Sequence, residues 1–341
     1  MKRSIYATAP SRVDFAGGTL DIHPIYLFFE NGVYTINAAI NLGAEVWLAG
    51  REDDRVTVTS IDTGAALECA GGVQSLPLDG PLSLISLVLR YYSLPGGLDV
   101  RTKLLPPHGS GLGASSTLFV TLAHAALAYK GETDDPEHII RTVNNLEAQL
   151  MGMPAGLQDY YPPTYGGLNA IHSGVDGITV QPLDPGGEFF ADLQRHLIVT
   201  YTNITHNSGA INWVKMRNFF DQVPETVRAL QRIKETADEF FDAFQAKDMR
   251  HIASLLDQEW QNRRNLSDGV TTPAIDRMMD DARAAGAWAN KLCGAGGGGC
   301  MMTLAPPEAR AQVIAALERA GASYLDVQLT REGVRVEVKE E

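Results

Sequence analysis

An α+β fold in two domains is the expectation from the sequence, and three observations carry it. The first half of the chain reads mainly as alternating strands and the second half mainly as helices, an order that favours two α+β units over one α/β barrel. The 341 residues correspond to roughly two domains at about 150 residues each. The run Pro182-Leu183-Asp184-Pro185-Gly186-Gly187 is the strongest break between the halves, because proline and glycine end regular structure on both sides. The expected division is therefore 1–184 and 185–341.

The elements follow in order. Ser4 to Ala9, Ala44 to Leu48 and Val56 to Thr59 alternate as strands,. Leu82 to Tyr92 is apolar at helical spacing, and Leu98 to Leu104 alternates until Pro106-Pro107 stops it,. A helix follows His108-Gly109-Ser110-Gly111-Leu112-Gly113-Ala114-Ser115-Ser116-Thr117 and runs to Lys130, with Gly131 as its stop,. Asp135 as N-cap and Pro136 at the first helical position start another, ending near Met151,. Proline, glycine and tyrosine crowd residues 152–167, which reads as loop,. The second half holds a strand from His196 to Tyr201 and helices over about 223–246, 248–265 and 273–285,. A glycine-rich turn at 294–299 precedes the apolar run Cys300 to Leu304, Pro306 starts a further helix, and Val334 to Val338 closes as a strand,.

Composition narrows the function classes. Apolar residues are 45% and charged residues 20%, which excludes a mainly disordered chain. The formal charge of −13 disfavours nucleic acid and anionic membrane as partners, because both repel it at long range. No window is apolar enough to span a bilayer, and the N-terminus has no apolar run of signal-peptide length. Cys69, Cys293 and Cys300 form neither a disulfide framework nor a CxxC pair, which suits a reducing cytosol. A cytoplasmic protein acting on a small molecule is the expectation, as monomer or homodimer.

The strongest chemical signal is Gly109-Ser110-Gly111-Leu112-Gly113-Ala114-Ser115-Ser116-Thr117 at the start of a helix. A helix N-terminus carries unpaired N–H donors and the positive end of the dipole. Glycines let the backbone approach an anion, and serine hydroxyls add hydrogen bonds or a metal ligand, which together make a phosphate cradle. The bland alternative is an ordinary serine-capped helix after a turn. The loop is not a Walker P-loop, since Gly-Lys occurs nowhere in the chain,. Gly294-Ala295-Gly296-Gly297-Gly298-Gly299 matches GxGxxG formally, but a strand follows where a dinucleotide fingerprint needs a helix,. Its glycines mean either close backbone approach with positive φ or a flexible turn. Glu147, Asp159 and Arg12 stand out beside these, although a lone carboxylate is more often a solvated surface group. Cys293 and Cys300 read as small packing residues. No HExxH, paired CxxC or GxSxG pattern occurs,.

In order, these segments resemble the GHMP kinase superfamily, which includes galactokinase, homoserine kinase and mevalonate kinase. APSRVDFAGG resembles its first motif, PPHGSGLGASST its phosphate-binding second, and KLCGAGGGGCMM its third. GMPAGLQDYYPPTYGG resembles the segment carrying the catalytic aspartate of the sugar-kinase members. The nearest likeness is to the bacterial heptose-phosphate kinase and fucokinase-like branch. Two departures stand out: Ala114 replaces the family's first serine after Gly-Leu-Gly, and Gly17-Gly18-Thr19-Leu20-Asp21 replaces Gly-Gly-Gly-Thr-Asp.

The resemblance implies an N-terminal domain like ribosomal protein S5 domain 2 and a ferredoxin-like C-terminal domain, with ATP and substrate meeting between them. It implies transfer of the γ-phosphoryl of ATP to a sugar or sugar-phosphate hydroxyl, with the anomeric one expected. Pro107, Gly109, Ser110, Gly111, Leu112, Gly113, Ala114, Ser115 and Ser116 would hold the phosphates. Ser115 and Glu147 would hold Mg²⁺, with Ser116 as the alternative hydroxyl. Asp159 would orient and deprotonate the acceptor, and Arg12 would keep Asp159 ionised. Expected substrate contacts are Arg12, Gly17, Gly18, Thr19, Asp21, His23, Asp159, Gly296 and Gly297. The segment Thr202 to Gly209 would add sugar specificity. Lys215 and Arg217 either reach a sugar phosphate or lie on a solvated helix face. Rival readings are a mevalonate-type kinase and a sugar- and nucleotide-binding sensor of the same fold with little catalysis.

Overall fold

The computed structural model describes residues 3–184, 186–205 and 208–340. Its first long strands are β1 (Arg3–Ala16) and β2 (Val33–Arg51), which pair antiparallel over nearly the whole of β1. They are followed by β3 (Val56–Ser60), β4 (Ala66–Cys69), α1 (Ser83–Tyr92), β5 (Gly97–Leu104), α2 (Ala114–Lys130) and α3 (Pro136–Met151). Next come α4 (Tyr161–Tyr165), β6 (Leu168–Gly174), β7 (Gly177–Pro182), α5 (Glu188–His196) and β8 (Leu197–Tyr201). The chain continues with α6 (Ser208–Phe220), α7 (Pro224–Gln245), α8 (Met249–Arg263) and α9 (Pro273–Ala284). It ends with β9 (Ala289–Leu292), β10 (Cys300–Leu304), α10 (Arg310–Arg319), β11 (Ser323–Leu325) and β12 (Arg335–Glu340).

Two sheets result. The larger has the order β12-β1-β2-β5-β3-β4, with β6 pairing the first half of β2 and β7 pairing β6. The smaller is antiparallel in the order β11-β8-β10-β9. Helices α1 to α3 cover one face of the larger sheet, where Ile5, Val46, Leu48 and Val100 pack with Phe119, Leu122 and Val143. A second core joins the two units: Val13, Phe15 and Ile36 of the larger sheet pack with Val199 and Met302 of the smaller and with Phe240, Phe244 and Leu256. The last strand crosses back, so that Arg3–Thr8 pair with Arg335–Glu340.

The structure departs from the sequence reading in several places. The segment read as loop contains a 3-10 turn at Gln158–Tyr160 and the short α4. Pro162 and Pro163 sit in its first turn, where a missing N–H breaks no helical hydrogen bond,. Strand β8 begins at Leu197, because His196 ends α5. Helix α10 begins at Arg310 rather than at Pro306. Of the specificity segment, His206 and Asn207 lie outside the described residues, as do the side chains of Ser208 and Gly209 and, at the expected domain break, Pro185.

Candidate active site

Arg12 and Asp14 lie two apart on β1 and so share one face,, while Val13 and Phe15 point into the core between the sheets. Arg12 donates from Nε to Asp159 Oδ1 at 2.8 Å, and its Nη2 lies 2.6 Å from the same oxygen. Its Nη1 donates to the Gly111 carbonyl at 2.5 Å and lies 3.5 Å from Asp14 Oδ1. The side chain of Arg12 is 3% exposed and that of Asp159 25%, so the acid faces open space from a buried cation. Burial opposes the guanidinium charge, but Asp159 and Asp14 outweigh it and hold the pKa above its ordinary value,.

Asp159 sits beside the start of α2. A Cβ on Gly113 would lie 3.4 Å from Asp159 Cγ and 3.6 Å from Arg12 Cγ. Gly109, Gly111 and Gly113 all have φ between +67° and +75°, and α2 starts with no side-chain cap on its N–H groups. The loop therefore offers free helix-terminal donors next to the Arg12–Asp159 pair, as an anion site requires. Ser115 at the helix start is exposed. Ser116 is buried and donates to Glu147 Oε2 at 2.7 Å, as does Tyr160 at 2.5 Å. Burial raises the pKa of Glu147 despite these donors,.

The third glycine-rich turn packs on this loop. A Cβ on Gly111 would lie 2.5 Å from the Cys293 carbonyl, one on Gly294 3.0 Å from the Gly111 carbonyl, and one on Gly299 2.7 Å from the Ser110 carbonyl. Cys300 N donates to Ser110 O at 2.7 Å. The close-approach reading of the cluster thus holds at Gly294 and Gly299. Gly296 and Gly297, expected at the substrate, lie against Val270, whose carbonyl accepts from Gly297 N at 2.7 Å. Burial pushes the Cys293 thiol up to about 11 and that of Cys300 well above its ordinary value, which fits packing rather than nucleophilic chemistry.

The first motif turns sharply after β1. Gly17 has φ +80°, and its missing side chain leaves room for the Tyr34 carbonyl. Gly18 faces Gln158 Nε2 and Arg263 Nη2. Thr19 is held at φ +81°, an uncommon conformation for a β-branched residue. Asp21 is 1% exposed and accepts from Gln158 N at 2.9 Å, so its carboxylate supports the loop that carries Asp159. His23 is exposed, with Nδ1 3.1 Å from Tyr26 Oη. Lys215 is on neither a solvated face nor an open pocket wall: it is fully buried and donates to Ala295 O at 2.8 Å, and burial carries its pKa well down. Arg217 is exposed and pairs with Asp221.

Sequence reasoning missed Asp14, Tyr160, Lys291 and Arg263. The last donates from Nη2 to Glu259 Oε1 at 2.6 Å and to Gly18 O at 2.8 Å. Asp14 was legible in principle as the same-face neighbour of Arg12. Lys291, on β9, opens the segment read as the third motif but carried no role there, and nothing local marks Arg263 on α8.

Comparison with known proteins gives the family of the chain. Residues 81–167 match the model described as the GHMP kinases N terminal domain, and residues 240–323 match GHMP kinases C terminal, together half of the chain. A D-glycero-alpha-D-manno-heptose 7-phosphate kinase of Campylobacter jejuni is 28% identical over 339 residues, covering 98% of both chains. The L-fucokinase/L-fucose-1-P guanylyltransferase of Bacteroides fragilis is 27% identical over 342 residues, covering 91% of this chain and 35% of that one. The solved structure of a D-glycero-D-manno-heptose 1-phosphate kinase from Bacteroides thetaiotaomicron superposes with a TM-score of 0.79 at 23% identity over 98% of both chains. Its relatives make the chain a phosphotransferase with an alcohol group as acceptor. The chain belongs to the GHMP kinase family, whose members use ATP. No helix among the described residues is long and apolar enough to cross a membrane.

Proposed function

We propose that this kinase phosphorylates a sugar or sugar phosphate, with the anomeric hydroxyl as acceptor. The observation that carries the reading is the Arg12–Asp159 pair set beside Gly113 at the open start of α2. The whole-length likeness to a heptose 7-phosphate kinase supports the sugar class. The 1–184 and 185–341 halves act as the two walls of this site, with the glycine loop from one and the third glycine turn from the other.

Phosphoryl transfer places its demands on position and electrostatics rather than on covalent chemistry by the protein. The N–H groups of Gly109 and Gly111 and those from Gly113 to Ser116 would receive the β and γ phosphates, while those of Ser110 and Leu112 are held by Pro107 O and Ser110 Oγ. The donor set suits Mg²⁺ bound with the help of nucleotide oxygens: one carboxylate, Glu147, with the hydroxyls of Ser115 and Ser116 nearby,. Among the described residues no group of three or more His, Cys, Asp or Glu converges to hold a metal by itself. The ion would neutralise charge on the phosphates. Asp159, fixed by Arg12, accepts the proton of the attacking hydroxyl and holds that oxygen in line. Arg12, always charged, also steadies the Gly111 carbonyl of the phosphate loop.

Asp159→Asn should fold and bind ATP but lose turnover by on the order of 10²–10⁴-fold. Near wild-type turnover would remove Asp159 from this role. ADP release measured across free hexoses, fucose, uronic acids, heptose 7-phosphate and mevalonate tests the acceptor. Turnover with mevalonate and none of the sugars would overturn the sugar assignment.

A further inference from the structure

A buried carboxylate stands between Arg12 and Lys291. Asp14 is fully buried, and its Oδ1 accepts from Gly294 N at 2.9 Å and lies 3.5 Å from Arg12 Nη1. Lys291, equally buried, reaches Asp14 from the other unit. Its ammonium donates to Asp14 Oδ2 at 2.5 Å, to Asp14 O at 2.8 Å and to Leu292 O at 3.2 Å. These three acceptors match its three N–H donors. Burial alone would raise the pKa of Asp14, but Lys291, then Arg12 and Arg263, hold it below the ordinary carboxylate range,.

Arg12 thus has two carboxylates within reach and binds only one closely. Its Nε and Nη2 go to Asp159, while Asp14 is left at 3.5 Å. Charges buried from water interact strongly, and removing one partner of a buried pair leaves an uncompensated charge, which at Asp14 has Arg12 as its adjacent ion-pair partner. We propose that Lys291, acting through Asp14, is a positioning residue for phosphoryl transfer: by neutralising Asp14 it leaves Arg12 free to hold Asp159. Without that charge Arg12 turns toward Asp14 and away from Asp159. The same carboxylate receives Gly294 N, so the pair also ties the third glycine turn to the strand that carries Arg12.

The inference rests on the roles given to Arg12 and Asp159 above, and the two can fail separately. Wild-type turnover in Asp159→Asn would sink those roles. A dead Asp159→Asn beside a fully active, folded Lys291→Met would sink only the positioning role. In Lys291→Met, kcat per folded molecule should fall at least tenfold while the Kd for ATP changes less than threefold. Adding Asp14→Asn removes the competing charge and should restore at least half of the lost decades of kcat. A double variant no better than Lys291→Met would show that the pair serves packing only. If Lys291→Met does not fold, Asp14→Asn is compared with Asp14→Asn/Lys291→Met. Equal kcat within threefold is expected, since Lys291 acts through the Asp14 charge, and a further tenfold loss on removing Lys291 would overturn the proposal.

Discussion

Asp21 is a carboxylate placed where a charge is costly. Burial is the largest influence on it and raises its pKa to about 6, with the hydrogen bond from Gln158 N opposing and the charge of Asp159 adding to the rise. A folded-state value above the unfolded one means that the stability from this group is fully present below about pH 4. It is lost as pH rises through about 6. Asp21→Asn keeps an acceptor for Gln158 N and removes the charge. The variant should gain on wild type between pH 4 and pH 8, reaching about 3 kcal/mol at the upper end. Urea unfolding at several pH values measures this, and parallel curves for the two proteins would mean that Asp21 is not ionised at a cost. The sequence suggested a sugar contact for this residue. Its partner Gln158 is 137 positions away, so no local pattern could show that it braces the Asp159 loop.

The glycine loop shows how an element depends on its neighbours. Gly109 and Gly111 have nearly equal φ, +67° and +70°, so an alanine at either costs about 1–2 kcal/mol in strain. Their surroundings differ: a Cβ on Gly109 meets nothing within 4 Å, whereas one on Gly111 would lie 2.5 Å from the Cys293 carbonyl. Gly109→Ala should lose only the strain. Gly111→Ala should lose about 2 kcal/mol more, because backbone must move, and should bind ATP more weakly. Urea midpoints together with ATP titration would check this, and equal losses would mean that the third glycine turn yields easily. The helix after the loop was legible because its apolar run and its Gly131 stop are local signals. The contact between the two glycine clusters was not, since Gly111 and Gly294 are far apart in sequence. At α4 the rule that proline breaks helices misled, because both prolines fall in the first turn.

At the scale of the molecule the two units share buried structure. Residues of both sheets form one apolar cluster with α7 and α8, Lys291 and Asp14 pair across the units without exposure to water, and β12 returns to the edge of β1. Separating the units would expose that core and strand a buried charge. Heating should therefore give one calorimetric transition with matching calorimetric and van't Hoff enthalpies, and two resolved transitions would show that the units melt independently. The prolines and glycines around residue 184 mark an interruption between β7 and α5 in the sequence itself. The return of the last strand was not visible there, because alternation shows that a segment is a strand but not which edge it joins.

By itself the sequence determined the α+β class, the run of strands and helices over most of their length, the glycine loop opening α2 and the likeness to the GHMP kinases. All of these rest on periodicity, turn chemistry and short motifs, which operate within a few residues. Although the likeness to the family already paired Arg12 with Asp159, only the tertiary structure decided the geometry of that grip and that Asp21 supports Gln158. It alone paired Lys291 with Asp14, buried Lys215 and seated the third glycine turn on the loop. Those outcomes depend on which distant groups are brought together out of water, where the strength of a charge or a hydrogen bond is set by its surroundings.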